Sequence, residues 1–189
     1  MLASELPWLE AIALAARAHQ GQLRKDRRTP YVSHVFRVCL IVRHVFGLED
    51  ERALMAALLH DTIEDTRTDF DDLLELLRAD GHPVADWVAA LSKDKRREEH
   101  DREAAYLAAL ADAPWQVKLC KLADLFDNLI DSKHLTTPEQ REQTRKRVRQ
   151  YLDALAVDLP AEARAAYATV VRLFAECLPA SASRFLPPC

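Results

Sequence analysis

The chain reads as a succession of amphipathic helical segments cut by proline and glycine, and no stretch alternates β-branched and polar residues as a strand would. Only three glycines occur in 189 residues, and alanine and leucine dominate, which favours helix throughout. Helices are expected over about 7–20, 31–46, 50–60, 70–80, 83–92, 97–113, 114–131, 138–157 and 160–178. Pro7 suits a first helical turn, Gly47 and Gly81 suit stops, and Thr137-Pro138 with Gln140 has the form of a capping box. The expected fold class is therefore all-α, a bundle of about eight to ten helices with no substantial sheet. One domain is expected over 1–180, with 181–189 ("SASRFLPPC") as a loose tail.

Several function classes are disfavoured. The net charge is -4 and the pI about 6.0, so a dedicated nucleic-acid binder with a basic face is not expected. No run of about 20 apolar residues occurs, so no membrane span is expected. Cys39, Cys120, Cys177 and Cys189 lack metal-knuckle or redox spacing and read as free thiols in a reducing cytoplasm.

The segment "ALMAALLHDTIEDT" raises a chemical question, because an apolar helix ends in one imidazole and three carboxylates. A buried carboxylate without a partner is costly, and a metal ion removes that cost by taking it as a ligand. A lone His-Asp pair is common at surfaces and caps. Two further segments add weight: "YVSHVFRVCLIV" places His34 in an apolar helix, and "VKLCKLADLFDNLID" does the same for Asp124. Together they supply His34, His60-Asp61 and Asp124 on three helices.

The order His…His-Asp…Asp resembles the signature of HD-domain metallophosphohydrolases. More narrowly, "AHQGQLRK", "PYVSH", "ALLHDTIEDT", "LSKDK" and "KLADLFDN" resemble, in order, the hydrolase domain of RelA/SpoT-type alarmone enzymes and their small single-domain relatives. The resemblance spans roughly residues 15–155. It implies His34, His60, Asp61 and Asp124 as metal ligands, with Mn²⁺ the usual ion and Fe²⁺, Zn²⁺ or another divalent ion as alternatives. It implies Glu64 and Asp65 as the pair that positions and activates water. Arg24, Lys25, Lys93 and Asn128 match positions for the nucleotide, Arg24 at the base; Lys95 is a further candidate for phosphate. The implied reaction is release of pyrophosphate from the 3′ position of guanosine tetra- or pentaphosphate, (p)ppGpp, to give GDP or GTP. An HD phosphohydrolase for another nucleotide is the alternative, and a non-catalytic nucleotide-binding regulator a third.

The chain departs from the usual "KLADRLHN" at Leu125 and Asp127, and Asp131 adds a further carboxylate. Next to a polyanionic substrate these aspartates must be paired or turned away, with Lys121 or Lys133 as candidate partners. His82 and His100 read as surface residues rather than ligands of a second ion.

Overall fold

A computed structural model describes residues 6–77 and 81–179, the side chains of Gly81 and His82 excepted. The expected tail at 181–189 and the surface reading of His82 lie outside the described residues. Ten α-helices follow in order: α1 (Pro7–Ala18), α2 (Val32–Leu40), α3 (Glu51–Leu59), α4 (Thr62–Asp65), α5 (Phe70–Leu77), α6 (Gly81–Leu91), α7 (Glu99–Asp112), α8 (Trp115–Ile130), α9 (Pro138–Leu155) and α10 (Ala161–Cys177). Among the described residues the only β-type pairing is one isolated bridge, Leu23 with Pro30. No described helix is long and apolar enough to cross a membrane.

Helix α8 is the centre of the bundle. It packs against α10, α2, α3, α6 and α9, and it buries Val117, Leu119, Leu122, Ala123, Leu125 and Leu129. The apolar stripe therefore wraps most of its circumference, as expected for a core helix. Helix α3 is nearly as enclosed: Ala53 and Met55 through Leu59 are all buried. That apolar run explains why the residues at its end sit deep in the protein.

Local signals set the ends. Asp50 caps α3 by accepting from the amides of Arg52 and Ala53 at 2.9 and 3.3 Å. Helix α2 widens into a π-helical turn over Ile41–Val45, and Gly47 closes it with φ +74°. Helix α6 begins at Gly81, with Pro83 inside the first turn where a missing N–H costs nothing, while the expected stop of the preceding helix falls outside the described residues. Thr137 and Gln140 complete the capping box of α9. Thr137→Ala is expected to cost about 1 kcal/mol. For a domain of this size that lowers the melting temperature by roughly 2–4 °C, which calorimetry would read.

A second anchor lies at the far end of α8. The buried Lys118 ammonium donates to the carbonyls of Ala111, at the end of α7, and Val157, just past α9, at 2.7 and 2.6 Å.

Candidate metal centre

Three helices and one junction bring four ligand-type side chains together. His34 comes from α2, His60 caps the end of α3, Asp61 sits at the turn into α4, and Asp124 comes from the middle of α8. The chain breaks helix at His60-Asp61 and starts the one-turn α4, so the adjacent side chains can converge. His34 Nε2 lies 3.2 Å from Asp124 Oδ1 and 3.6 Å from Asp61 Oδ2. His60 Nε2 lies 3.0 Å from Asp61 Oδ2 and 3.9 Å from Asp124 Oδ1. Ligand atoms of His34, His60 and Asp61 fall within 4.8 Å of one another, a grouping able to hold a metal ion.

The far side of each imidazole is tied down. His34 Nδ1 is 2.6 Å from Asp127 Oδ2, and His60 Nδ1 is 2.8 Å from the Ala57 carbonyl. With protons held on Nδ1, both Nε2 lone pairs face the same point. His60 Nε2 is buried without an aligned hydrogen-bond partner. An orphaned buried acceptor beside two carboxylates fits a divalent cation. Burial lowers the pKa of His60, and Asp61 and Asp124 more than offset this, raising it to about 9. That upward shift reflects the negative charge the two carboxylates gather at this point, which a bound cation would meet instead. Burial pushes the Asp61 and Asp124 carboxyls up, but His60 beside Asp61 and Lys121 beside Asp124 hold both well below the usual range.

An outer set of groups supports these four. Tyr31 donates its hydroxyl to Asp61 at 2.6 Å. Lys121 donates to Asp124 Oδ2 at 2.7 Å, and Asn128 Nδ2 donates to Asp124 Oδ1 at 2.5 Å. Asp127 and Asp131 are paired, by arginines rather than by lysines: Arg24 reaches Asp131 at 2.7 Å, and Arg37 reaches Asp127 at 2.5 Å and Asp131 at 3.3 Å. Tyr31 and Arg37 were absent from the candidates read from sequence. Their signal was spacing, since both lie three residues from His34.

The remaining candidates surround this centre. Glu64 and Asp65 end α4; Glu64 Oε2 accepts from the Lys93 amide at 2.9 Å, while Lys95 donates to the Glu64 carbonyl and to Asp65 Oδ1, the latter at 2.9 Å. Arg24 is almost fully buried, its guanidinium bonded to Asp131 and Asn128 and lying over the Tyr31 ring. A cleft of about 170 Å³ opens beside Asp124 and Asn128, lined by Lys25, Lys93, Lys121 and Arg147. Burial, with Arg147 and Arg24 nearby, lowers the pKa of Lys25. Lys93 and Lys121 sit over the rings of Tyr106 and Tyr151 at 4.9–5.5 Å, and Lys93 pairs with Glu103 at 2.8 Å. His100 is exposed on α7.

An all-α bundle with a buried histidine–aspartate cluster able to hold a divalent ion defines the class of protein. The HD domain family model matches residues 11–161, and the chain belongs to the HD-domain family. Guanosine-3′,5′-bis(diphosphate) 3′-pyrophosphohydrolase MESH1 of Drosophila melanogaster is 39% identical over 141 residues, covering 72% of this chain and 77% of the relative. Human MESH1 is 38% identical over 146 residues, covering 77% and 78%. The bifunctional (p)ppGpp synthase/hydrolase SpoT of Escherichia coli is 32% identical over 145 residues, covering 75% of this chain and 20% of SpoT. A solved structure described as a metazoan ortholog of SpoT that hydrolyzes ppGpp matches with a TM-score of 0.77 at 33% identity, over 88% of this chain and 94% of that one.

Proposed function

We propose that the chain is a metal-dependent (p)ppGpp 3′-pyrophosphohydrolase, with His34, His60, Asp61 and Asp124 holding the cation. The observation that carries this reading is the convergence of the four groups beside a cleft with four cationic side chains. The similarity to MESH1 across most of both chains supports the substrate. Mn²⁺ is the ion we assign, since two imidazoles and two carboxylates form a mixed nitrogen–oxygen set without thiolate. When bound, such a cation lowers the pKa of water and neutralises charge on phosphoryl oxygens.

The protein's own groups do the rest. Glu64 accepts the proton of the attacking water, and Asp65, held by Lys95, orients it. Lys25, Lys93 and Arg147 draw the phosphates into the cleft. Asn128, on the cleft wall, contacts the nucleotide; Arg24, expected at the base, is instead buried against Asp131, Asn128 and the Tyr31 ring and braces that wall. The Asp127 and Asp131 carboxylates are offset by Arg24 and Arg37, so they do not oppose a polyanion as free charges would.

The test is incubation of purified protein and Mn²⁺ with ppGpp, pppGpp and a panel of nucleoside mono- and triphosphates, with products separated by anion-exchange chromatography. GDP from ppGpp and GTP from pppGpp, each with one pyrophosphate, is the expected result. Turnover of another nucleotide with ppGpp untouched would replace the substrate, and no turnover with any divalent metal would remove the enzymatic reading.

A further inference from the structure

The two imidazoles of the centre are held by unlike partners. Behind His60 stands a neutral carbonyl, whereas behind His34 stands the carboxylate of Asp127, which is only 1% exposed. Every oxygen of Asp127 is engaged. Oδ2 meets His34 Nδ1 and, at 3.5 Å, the Arg24 guanidinium; Oδ1 accepts from Arg37 Nε.

A carboxylate on Nδ1 does two things. It fixes the proton on that nitrogen, and it makes Nε2 a stronger electron-pair donor. A buried carboxylate also needs its charge offset, or it destabilises the site it serves. Arg37 meets that need from the solvent side, since its side chain is 40% exposed, and Arg24 meets it from the loop between α1 and α2. Asp131, just past α8, then joins the two guanidiniums, so two arginines and two aspartates alternate where α2 and the loop before it meet the end of α8.

We propose that Asp127 is a positioning residue for the cation centre: it holds His34 with Nε2 directed at the ion, and the flanking arginines offset its charge. The inference rests on reading the four convergent groups as a divalent-cation site. It assigns Asp127 to metal retention and not to substrate contact.

The test titrates Mn²⁺ into metal-free wild type, Asp127→Asn and Arg37→Gln by calorimetry, with the thermal unfolding of each metal-free protein alongside. Asparagine keeps the volume and removes the charge. Asp127→Asn is expected to bind Mn²⁺ roughly 10–100-fold more weakly, the range for losing an outer-shell partner. Its hydrolytic rate should recover at high Mn²⁺ with KM for the nucleotide unchanged, whereas a merely structural role would lower the melting temperature and leave Mn²⁺ affinity alone. Arg37→Gln keeps the His34–Asp127 bond but leaves a buried carboxylate less well offset, so it should lower the melting temperature while weakening Mn²⁺ binding less than Asp127→Asn does. An Asp127→Asn affinity matching wild type, or an Arg37→Gln loss as large as that of Asp127→Asn, overturns the proposal. Wild type that binds neither Mn²⁺ nor Zn²⁺ overturns the cation site itself. Imidazole nitrogen NMR of Zn²⁺-loaded wild type gives a reading that needs no variant: a proton on His34 Nδ1 is expected, and a proton on Nε2 excludes the assigned geometry.

Discussion

His60→Ala is expected to abolish both divalent-cation binding and hydrolysis. The side chain is buried, its Nδ1 is fixed on Ala57, and its Nε2 has no aligned partner in the protein. The polar groups around it, His34, Asp61 and Asp124, already face the same point and have no second nitrogen to offer there. If His60 is a direct ligand, as proposed, the loss in affinity should exceed the roughly 10–100-fold typical of an outer-shell partner. Thermal unfolding gives an independent reading. A ligand at 100 times its Kd stabilises a protein by about 2.7 kcal/mol, so wild type should melt higher with Mn²⁺ added. His60→Ala should show no such rise. A variant that still hydrolyses ppGpp and still gains stability from Mn²⁺ would remove His60 from the centre.

Glu64→Gln is the complementary case, with metal retained and turnover lost. Glu64 uses one oxygen to accept from the Lys93 amide at 2.9 Å. A glutamine carbonyl can keep that bond, so the loop between α6 and α7 should stay in place. What disappears is the ability to take a proton. If Glu64 is the general base, kcat should fall by roughly 10²-fold or more. Mn²⁺ affinity should match wild type, which calorimetry would establish on the same sample. Near-normal turnover at saturating Mn²⁺ would pass the role to Asp65 or to a water chain.

Much of this was legible from the sequence because burial and polarity disagreed there. His34, His60 and Asp124 stand inside apolar runs, and a polar group in such a run demands a partner. Helix existence followed from the apolar period and the caps at Gly47, Thr137 and Pro138. Other features depended on which helix faced which. Tyr31, His34 and Arg37 recur every three residues at the start of and along α2; Lys121, Asp124 and Asp127 do so on α8, with Asp131 one turn further. Each is a polar stripe on an otherwise apolar helix. Only the packing of α2 on α8 shows that the stripes meet, with the arginines of one side answering the aspartates of the other. The lysines considered from sequence were the wrong partners for Asp127 and Asp131, because Lys121 is already committed to Asp124. The end of α3 at His60 was legible, but the single turn of α4 that follows was hidden, since "HDTIEDT" carries no glycine or proline to announce a second helix.

The Lys118 ammonium has a consequence for how the protein opens. It closes on the carbonyl ends of α7 and α9 at once, from a third helix that is itself the core. Neither segment can peel away without stripping a buried ammonium of an acceptor, which is costly away from water. The ends of α7 and α9 should therefore exchange their amide hydrogens as one cooperative unit with α8, not as independently fraying termini. The floor of the cationic cleft, contributed by Lys121 and Tyr151 on these same helices, inherits that slow opening, while the loop that carries Lys93 and Lys95 does not.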